Sequence, residues 1–193
     1  GLPPAVLTPV GHWTLDETTN PSSGTLALDA SGSAFNGTYL PAGGVGGAIV
    51  GAPGATVDTG TSAVFNGTTD RISVGARPQL QITSNFTITA WIKPTATPTG
   101  VVQRIFSQTP GGGYGFGLTG SELRFTTYGR KDYDTSTADE VSIAPGIWTH
   151  VAVVFDGSFD ASFYINGELT EVVPGDLAAA ASASGLFIGS TGA

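Results

Sequence analysis

Residues 147–169, IWTHVAVVFDGSFDASFYINGEL, decide the fold. Val151, Val153 and Phe155 alternate with His150, Ala152 and Val154, the period of two that sets one face of a β-strand on a core. Asp156-Gly157 opens a short connection, and Ala161, Phe163 and Ile165 then alternate with Ser162 and Tyr164. Asn166-Gly167 marks a tight turn because both positions tolerate positive φ. The stretch is predicted to run strand, loop, strand, turn and the start of a third strand, an antiparallel unit with one apolar face.

The same period extends outward. Phe86, Ile88 and Ala90 alternate with Thr87, Thr89 and Trp91, with β-branched residues throughout. Further strands are expected at 12–15, 25–28, 38–40, 61–65, 71–74, 101–107, 114–118, 123–127, 141–143 and 186–189, each bounded by Gly, Pro, Ser or Asn. The strands at 61–65 and 71–74 flank an Asn66-Gly67-Thr68-Thr69 turn, and the glycine-rich stretch 43–60 reads as too flexible for a core strand. Residues 131–140, KDYDTSTADE, read as a long polar loop, and 178–181 at most as one helical turn. Residues 1–9, with Pro3, Pro4 and Pro9, can only be an extended arm or linker, leaving 10–193 as one domain.

Composition narrows the function classes. With 193 residues the chain is long enough for one β-sandwich with a full core and no disulfide staples, and it has no cysteine. Gly at 29 and Pro at 12, with only 11% charged residues, favour many turns and few helices. A net charge of −8 with seven scattered basic residues excludes a phosphate-reading nucleic-acid binder. No apolar run reaches the ~20 residues that span a bilayer. The opening Gly1-Leu2-Pro3-Pro4, without Met, fits a processed terminus or an excised fragment.

W-x-H-V-A-V-V-F-D-G followed by F-Y-I-N-G-E-L resembles the hallmark of laminin-G-like domains of the concanavalin-A-like lectin/glucanase superfamily. GHWTLDE at 11–17, AVFNGTTDRISV at 63–74 and NFTITAWIKP at 85–94 agree in the same order. The resemblance implies an all-β, two-sheet antiparallel jelly-roll sandwich of about a dozen strands. It also implies a closing strand after an LFIG-type strand, and here the chain ends at Ala193, soon after Ile188. The sheet is therefore expected to lack its final strand, as a truncation or as a slot filled by another copy's N-terminal arm.

Hydrolases of this superfamily carry a compact E-x-D-x-x-E or E-x-D-x-E on one strand, and no such pattern is present. His12 and His150 sit in no Ser/His/Asp arrangement, and Gly111-Gly112-Gly113 lacks the Lys-Ser/Thr of a phosphate loop. No catalytic residue is assigned. Calcium is the cofactor the resemblance implies. In the loop DASGSAFNG at 29–37, Asp29 would supply a carboxylate and Ser31, Ser33 and Asn36 further oxygens, the alternative being a plain Asx/Gly turn. Asn66 and Asp70 resemble part of a pentraxin calcium site, although no carboxylate follows Ile188-Gly189 to complete it. For saccharide, the requirement is an exposed planar ring beside polar groups. Tyr128, Arg130, Asp132, Tyr133 and Asp134 form that cluster, the alternative being an ordinary exposed loop.

The expectation is a non-catalytic, secreted or cell-surface recognition module for carbohydrate or an extracellular protein, with calcium as an assisting ion. The alternative is a structural subunit of a filament, capsid or surface layer that self-assembles through strand or arm exchange.

Overall fold

The computed structural model describes residues 8–18, 25–40, 48–136 and 143–190. Fourteen strands run in chain order among them: β1 (Leu26–Ala27), β2 (Gly37–Leu40), β3 (Ile49–Pro53), β4 (Thr61–Val64), β5 (Arg71–Gly75), β6 (Phe86–Ile92), β7 (Gln103–Gln108), β8 (Tyr114–Thr119), β9 (Glu122–Thr127), β10 (Lys131–Asp134), β11 (Thr149–Phe155), β12 (Ala161–Ile165), β13 (Glu168–Val173) and β14 (Leu186–Ile188). The helical pieces among the described residues are two short 3-10 turns, Val57–Thr59 and Pro78–Leu80.

All pairings are antiparallel. The larger sheet has the order β1-β2-β5-β14-β7-β8-β9-β10, a smaller one β13-β12-β11-β6, and β3 and β4 form a separate hairpin. The larger sheet is one layer. The smaller sheet and the hairpin cover its two halves, so an apolar cluster lies under each. Under the smaller sheet, Val151, Val153, Phe155 and Phe163 meet Phe116, Leu123 and Phe125. Under the hairpin, Ala48 and Val50 meet Ala27, Tyr39, Ile72, Val74 and Leu186. Phe106 touches both clusters and joins them. The architecture is the jelly-roll sandwich that the family resemblance implied, with the antiparallel unit that the alternation of 147–169 predicted at the centre of the smaller sheet.

The defining stretch folds as read. Val151, Val153, Phe155, Ala161 and Phe163 are fully buried, and β11 pairs β12 through Val153↔Phe163. Asn166 and Gly167 both take positive φ (52° and 86°), which permits the tight reversal into β13.

Several local readings are corrected. Residues 12–15 form no strand, contributing only the isolated bridge Trp13↔Asp29. The strands expected on either side of the Asn66–Thr69 turn form as β4 and β5, and their partners lie elsewhere: β4 pairs β3, while β5 pairs β2 and β14. The glycine-rich stretch holds β3 after all, because Ala48 and Val50 anchor it in the core. Residues 131–134 are strand β10 rather than loop, paired to β9 over four residues. Ala180 makes an isolated bridge to Gly113 instead of a helical turn. Most of the proposed arm (1–7), residues 141–142 of the strand expected at 141–143, Asp139 and Glu140, and the chain end at 191–193 lie outside the described residues, and Ile143 itself is buried but in no strand.

Candidate functional site: a charged face on the larger sheet

Strand register brings together what sequence distance separates. Asp134 lies opposite Arg124, Arg124 opposite Gly117, and Gly117 opposite Arg104, a row across β10, β9, β8 and β7. Beside it runs Asp132, Thr126, Gly115 and Ser107. Residues two apart share a face, so both rows point away from the core that Phe116, Leu123, Phe125 and Tyr133 fill from the other side. On β7, Arg104 and Ser107 are three apart yet share that face. The register shift between Arg104 and Phe106 absorbs the extra residue.

The two glycines of β8 let neighbouring side chains lie flat. A methyl group at Gly115 would meet the Tyr128 hydroxyl at 2.7 Å, and one at Gly117 would collide with the Gln103 carbonyl. Tyr128 therefore rests over Gly115, its hydroxyl sharing a 2.9 Å hydrogen bond with that of Ser107. The Arg104 guanidinium stacks 5.3 Å from the Tyr128 ring centroid and donates to Thr126 Oγ1 at 3.0 Å. Thr126 donates to Asp132 Oδ1 at 2.7 Å. Arg124 donates to both oxygens of Asp134 at 2.6 Å, a bidentate pair, and lies 3.3 Å from Asp132.

One connected network thus runs from Ser107 through Tyr128, Arg104, Thr126, Asp132 and Arg124 to Asp134. Burial pulls the Arg104 guanidinium below its ordinary value, opposed by Tyr128, Asp132 and Asp134, and its Nε and Nη1 are buried without an acceptor among the described residues. The hydrogen bonds to Asp134 push Arg124 the other way. The carboxylates stay accessible, with side-chain exposures of 46% for Asp132 and 35% for Asp134. Such a surface holds donors and acceptors in fixed directions. It offers no buried carboxyl pair for acid–base work.

Of the residues singled out from sequence, Tyr128, Asp132 and Asp134 come together here. Arg130 is exposed in the turn between β9 and β10. Tyr133 does not belong. It is 1% exposed, packs on Phe125 and Phe155, donates to the Phe159 carbonyl, and its hydroxyl is pushed up in pKa chiefly by burial. Strand alternation explains this: Asp132 and Asp134 face out, so Tyr133 faces in. Arg104, Ser107, Arg124 and Thr126 escaped the sequence reading because only the pairing register puts them beside Tyr128.

The calcium candidates resolve into hydrogen-bond knots. Asp29 Oδ1 accepts from the backbone N–H of His12 and Ser31, and Oδ2 from the Ser31 hydroxyl and the Phe35 N–H, all at 2.9 Å. A carboxylate has about four acceptor positions, and these four donors take them. Burial pushes the Asp29 carboxyl up, but these hydrogen bonds outweigh it and hold the pKa at about 2. Asn36 Oδ1 accepts from Asp29 N–H, and Ser33 enters only by donating its N–H to Ser31 Oγ. At the second candidate, Asn66 Oδ1 accepts from the backbone N–H of Thr68, Thr69 and Asp70, while Asp70 Oδ2 accepts from Asn66 N–H. Neither donor set, as arranged, fits a calcium ion that needs six to eight oxygens. No group of three or more His, Asp or Glu suited to a metal exists among the described residues.

Comparison with solved structures finds the same sandwich elsewhere. The binding domain of Paraclostridial Mosquitocidal Protein 1 is similar at 19% identity and a TM-score of 0.65, over 90% of this chain and 44% of that one. Domain 4 of AbnA, a GH43 extracellular arabinanase from Geobacillus stearothermophilus, in complex with arabinotriose, is similar at 19% identity and a TM-score of 0.63, over 89% of this chain and 84% of that one. The botulinum neurotoxin serotype G binding domain is similar at 17% identity and a TM-score of 0.60, over 83% and 40%. The chain thus spans less than half of each of these toxin domains. No curated protein sequence matches it. No helix among the described residues is long and apolar enough to cross a membrane. The family model for the concanavalin A-like lectin/glucanases superfamily matches residues 66–193, more than half of the sequence, and the chain belongs to that superfamily.

Proposed function

We propose that the chain is a non-catalytic, extracellular carbohydrate-binding module whose ligand lies on the charged face of the larger sheet. The observation that carries this reading is the Tyr128–Arg104 stack laid flat over Gly115 and Gly117, bordered by Asp132, Asp134 and Arg124. Saccharide hydroxyls need donors and acceptors at fixed angles beside a planar surface, and this face supplies both in one network. Two comparisons lend support: AbnA domain 4 is in complex with arabinotriose, and cell entry of botulinum neurotoxin type C, a weaker structural match, depends on interaction with two ganglioside molecules. The reading takes the chain to be secreted or surface-displayed, as the extracellular arabinanase carrying AbnA domain 4 is.

A glycan array, followed by titration calorimetry on the best ligand, tests it. The double substitution Tyr128→Ala with Asp132→Ala is expected to weaken binding by at least tenfold, while a chelator leaves binding unchanged because Asp29 and Asn66 are already committed. On a Trp91→Ala background, which removes the exposed indole of β6, binding that survives the double substitution overturns the reading.

The edge of the smaller sheet favours a second reading, assembly by strand exchange. β6 is a seven-residue edge strand, FTITAWI, without a charged residue or proline to block pairing. Under this reading light scattering detects polymers, and deleting residues 1–9 abolishes them; unchanged assembly in the deletion rejects it.

A further inference from the structure

The outward face of the smaller sheet carries a different chemistry, which no feature of the charged face anticipates. Trp91 is 43% exposed and is the only aromatic side chain in the exposed class among the described residues. It lies opposite His150, whose ring meets the indole edge-on at a centroid distance of 5.3 Å. The next row is Thr89, Ala152, Tyr164 and Leu169, and the one after it Thr87, Val154, Ser162 and Val172. Ala152, the smallest of these side chains, makes a low floor between Thr89 and Tyr164.

Two properties single out the occupant. No Asp, Glu, Lys or Arg occupies these ten positions, in a chain with 22 such residues. The side-chain polar groups of Thr87, Thr89, His150, Ser162 and Tyr164 make no hydrogen bond to any described residue. An apolar protein surface laid over them would strip their water and return nothing, leaving unpaired donors and acceptors. A nucleic acid or acidic glycan would find no cation. An uncharged saccharide answers both: its C–H face stacks on the indole, and its hydroxyls replace water at the threonines, the tyrosine and the imidazole.

We infer that this face is a second saccharide site, taking uncharged pyranose chains with Trp91 as the stacking platform. It extends the carbohydrate reading without resting on the charged face, since the two lie on opposite sides of the sandwich.

Affinity electrophoresis through gels containing a mixed-linkage glucan, a galactomannan or a xylan tests it on the intact chain. At least one polymer is expected to retard the wild type. Trp91→Ala is expected to weaken that retardation about tenfold or more, while Tyr128→Ala with Asp132→Ala leaves it unchanged. If no uncharged polymer retards the wild type, or Trp91→Ala binds as well as wild type, the inference fails. Loss of retardation in the Tyr128/Asp132 variant alone moves the uncharged ligand to the charged face and also overturns it. A wild-type dimer in sedimentation velocity that Trp91→Ala dissolves would make the face a docking surface for a second copy instead. Circular dichroism verifies folding. Should Trp91→Ala unfold, Trp91→Thr, which matches the neighbouring exposed Thr87 and Thr89 of β6, carries the test, and retardation equal to wild type then overturns the inference.

Discussion

On the larger sheet the outward positions of β7, β9 and β10 hold Arg104, Arg124, Asp132 and Asp134; on the smaller sheet those of β6, β11 and β12 hold Thr87, Thr89, Trp91, His150, Tyr164 and no full charge. Both faces are by-products of one constraint. Each strand must bury every second residue, and the residue between is released from packing. What the released positions then carry is free to diverge. On one side they are bound to each other through charge-assisted hydrogen bonds, so the surface is stiff and directional. On the other they are bound to nothing but one ring contact, so the surface is flat and adaptable. A single sandwich thus presents two chemistries back to back, with the same aromatic core between them.

The largest effect comes from breaking what the faces share. Phe155 is fully buried and contacts the rings of Phe86, Phe125, Tyr133 and Phe159. Phe155→Ala is expected to destabilise the chain by about 3–5 kcal/mol, from lost transfer energy plus the cavity left behind. Urea denaturation measures it, and binding at both faces falls together. A loss below about 1 kcal/mol would mean that the two layers are held by something other than this cluster.

A smaller substitution separates the faces. Gly117→Ala puts a methyl against the Gln103 carbonyl and the Arg104 backbone, so β7 and β8 must move apart where Arg104 crosses them. The expected cost is about 1–3 kcal/mol. Binding at the charged face falls at least tenfold, while retardation by an uncharged polymer through Trp91 persists. Heteronuclear NMR checks the locality: shifts cluster on β7–β9 and spare β6 and β12. Equal losses at both faces would show that they are mechanically coupled and not independent.

How much of this was legible follows from the same geometry. Alternation is local, so Val151, Val153, Phe155, Ala161 and Phe163 could be placed in the core and Asn166-Gly167 at a turn from residue types alone. Pairing is not local. Nothing in Arg71–Gly75 says that its neighbours are β2 and β14 while the nearby β4 turns to β3. The irregularity on β7 is likewise invisible until Gly117 is found opposite Arg104 and Gly115 opposite Ser107. The charged face was therefore read only in part: Tyr128, Asp132 and Asp134 from their crowding in one polar run, without the arginines that organise them. Reading that run as loop, where alternation has no force, puts Tyr133 on the wrong side; as strand β10 it faces the core. Trp91 alternates with Phe86, Ile88 and Ala90, so the outward position it takes in β6 was legible.

The smallest effect belongs to neither face and serves to calibrate both. Asp29 sits in the loop before β2, its carboxylate taken up by His12, Ser31 and Phe35. Its folded pKa of about 2 lies below the ordinary aspartate value, so the ionised form is favoured by folding. The stability this confers is complete above the unfolded value, declines as pH falls from about 4 towards 2, and is gone below that. Asp29→Asn keeps the shape but replaces one acceptor oxygen with an amide that donates. It is expected to cost about 1 kcal/mol at pH 7, and the gap between wild type and variant in urea midpoint should close as pH approaches 2. Binding at both faces stays at wild-type strength, because no residue of either network touches this loop. A gap that stays constant across that pH range would show that the N–H groups around Asp29 do not bind its charge, and would reopen the loop as a cation site.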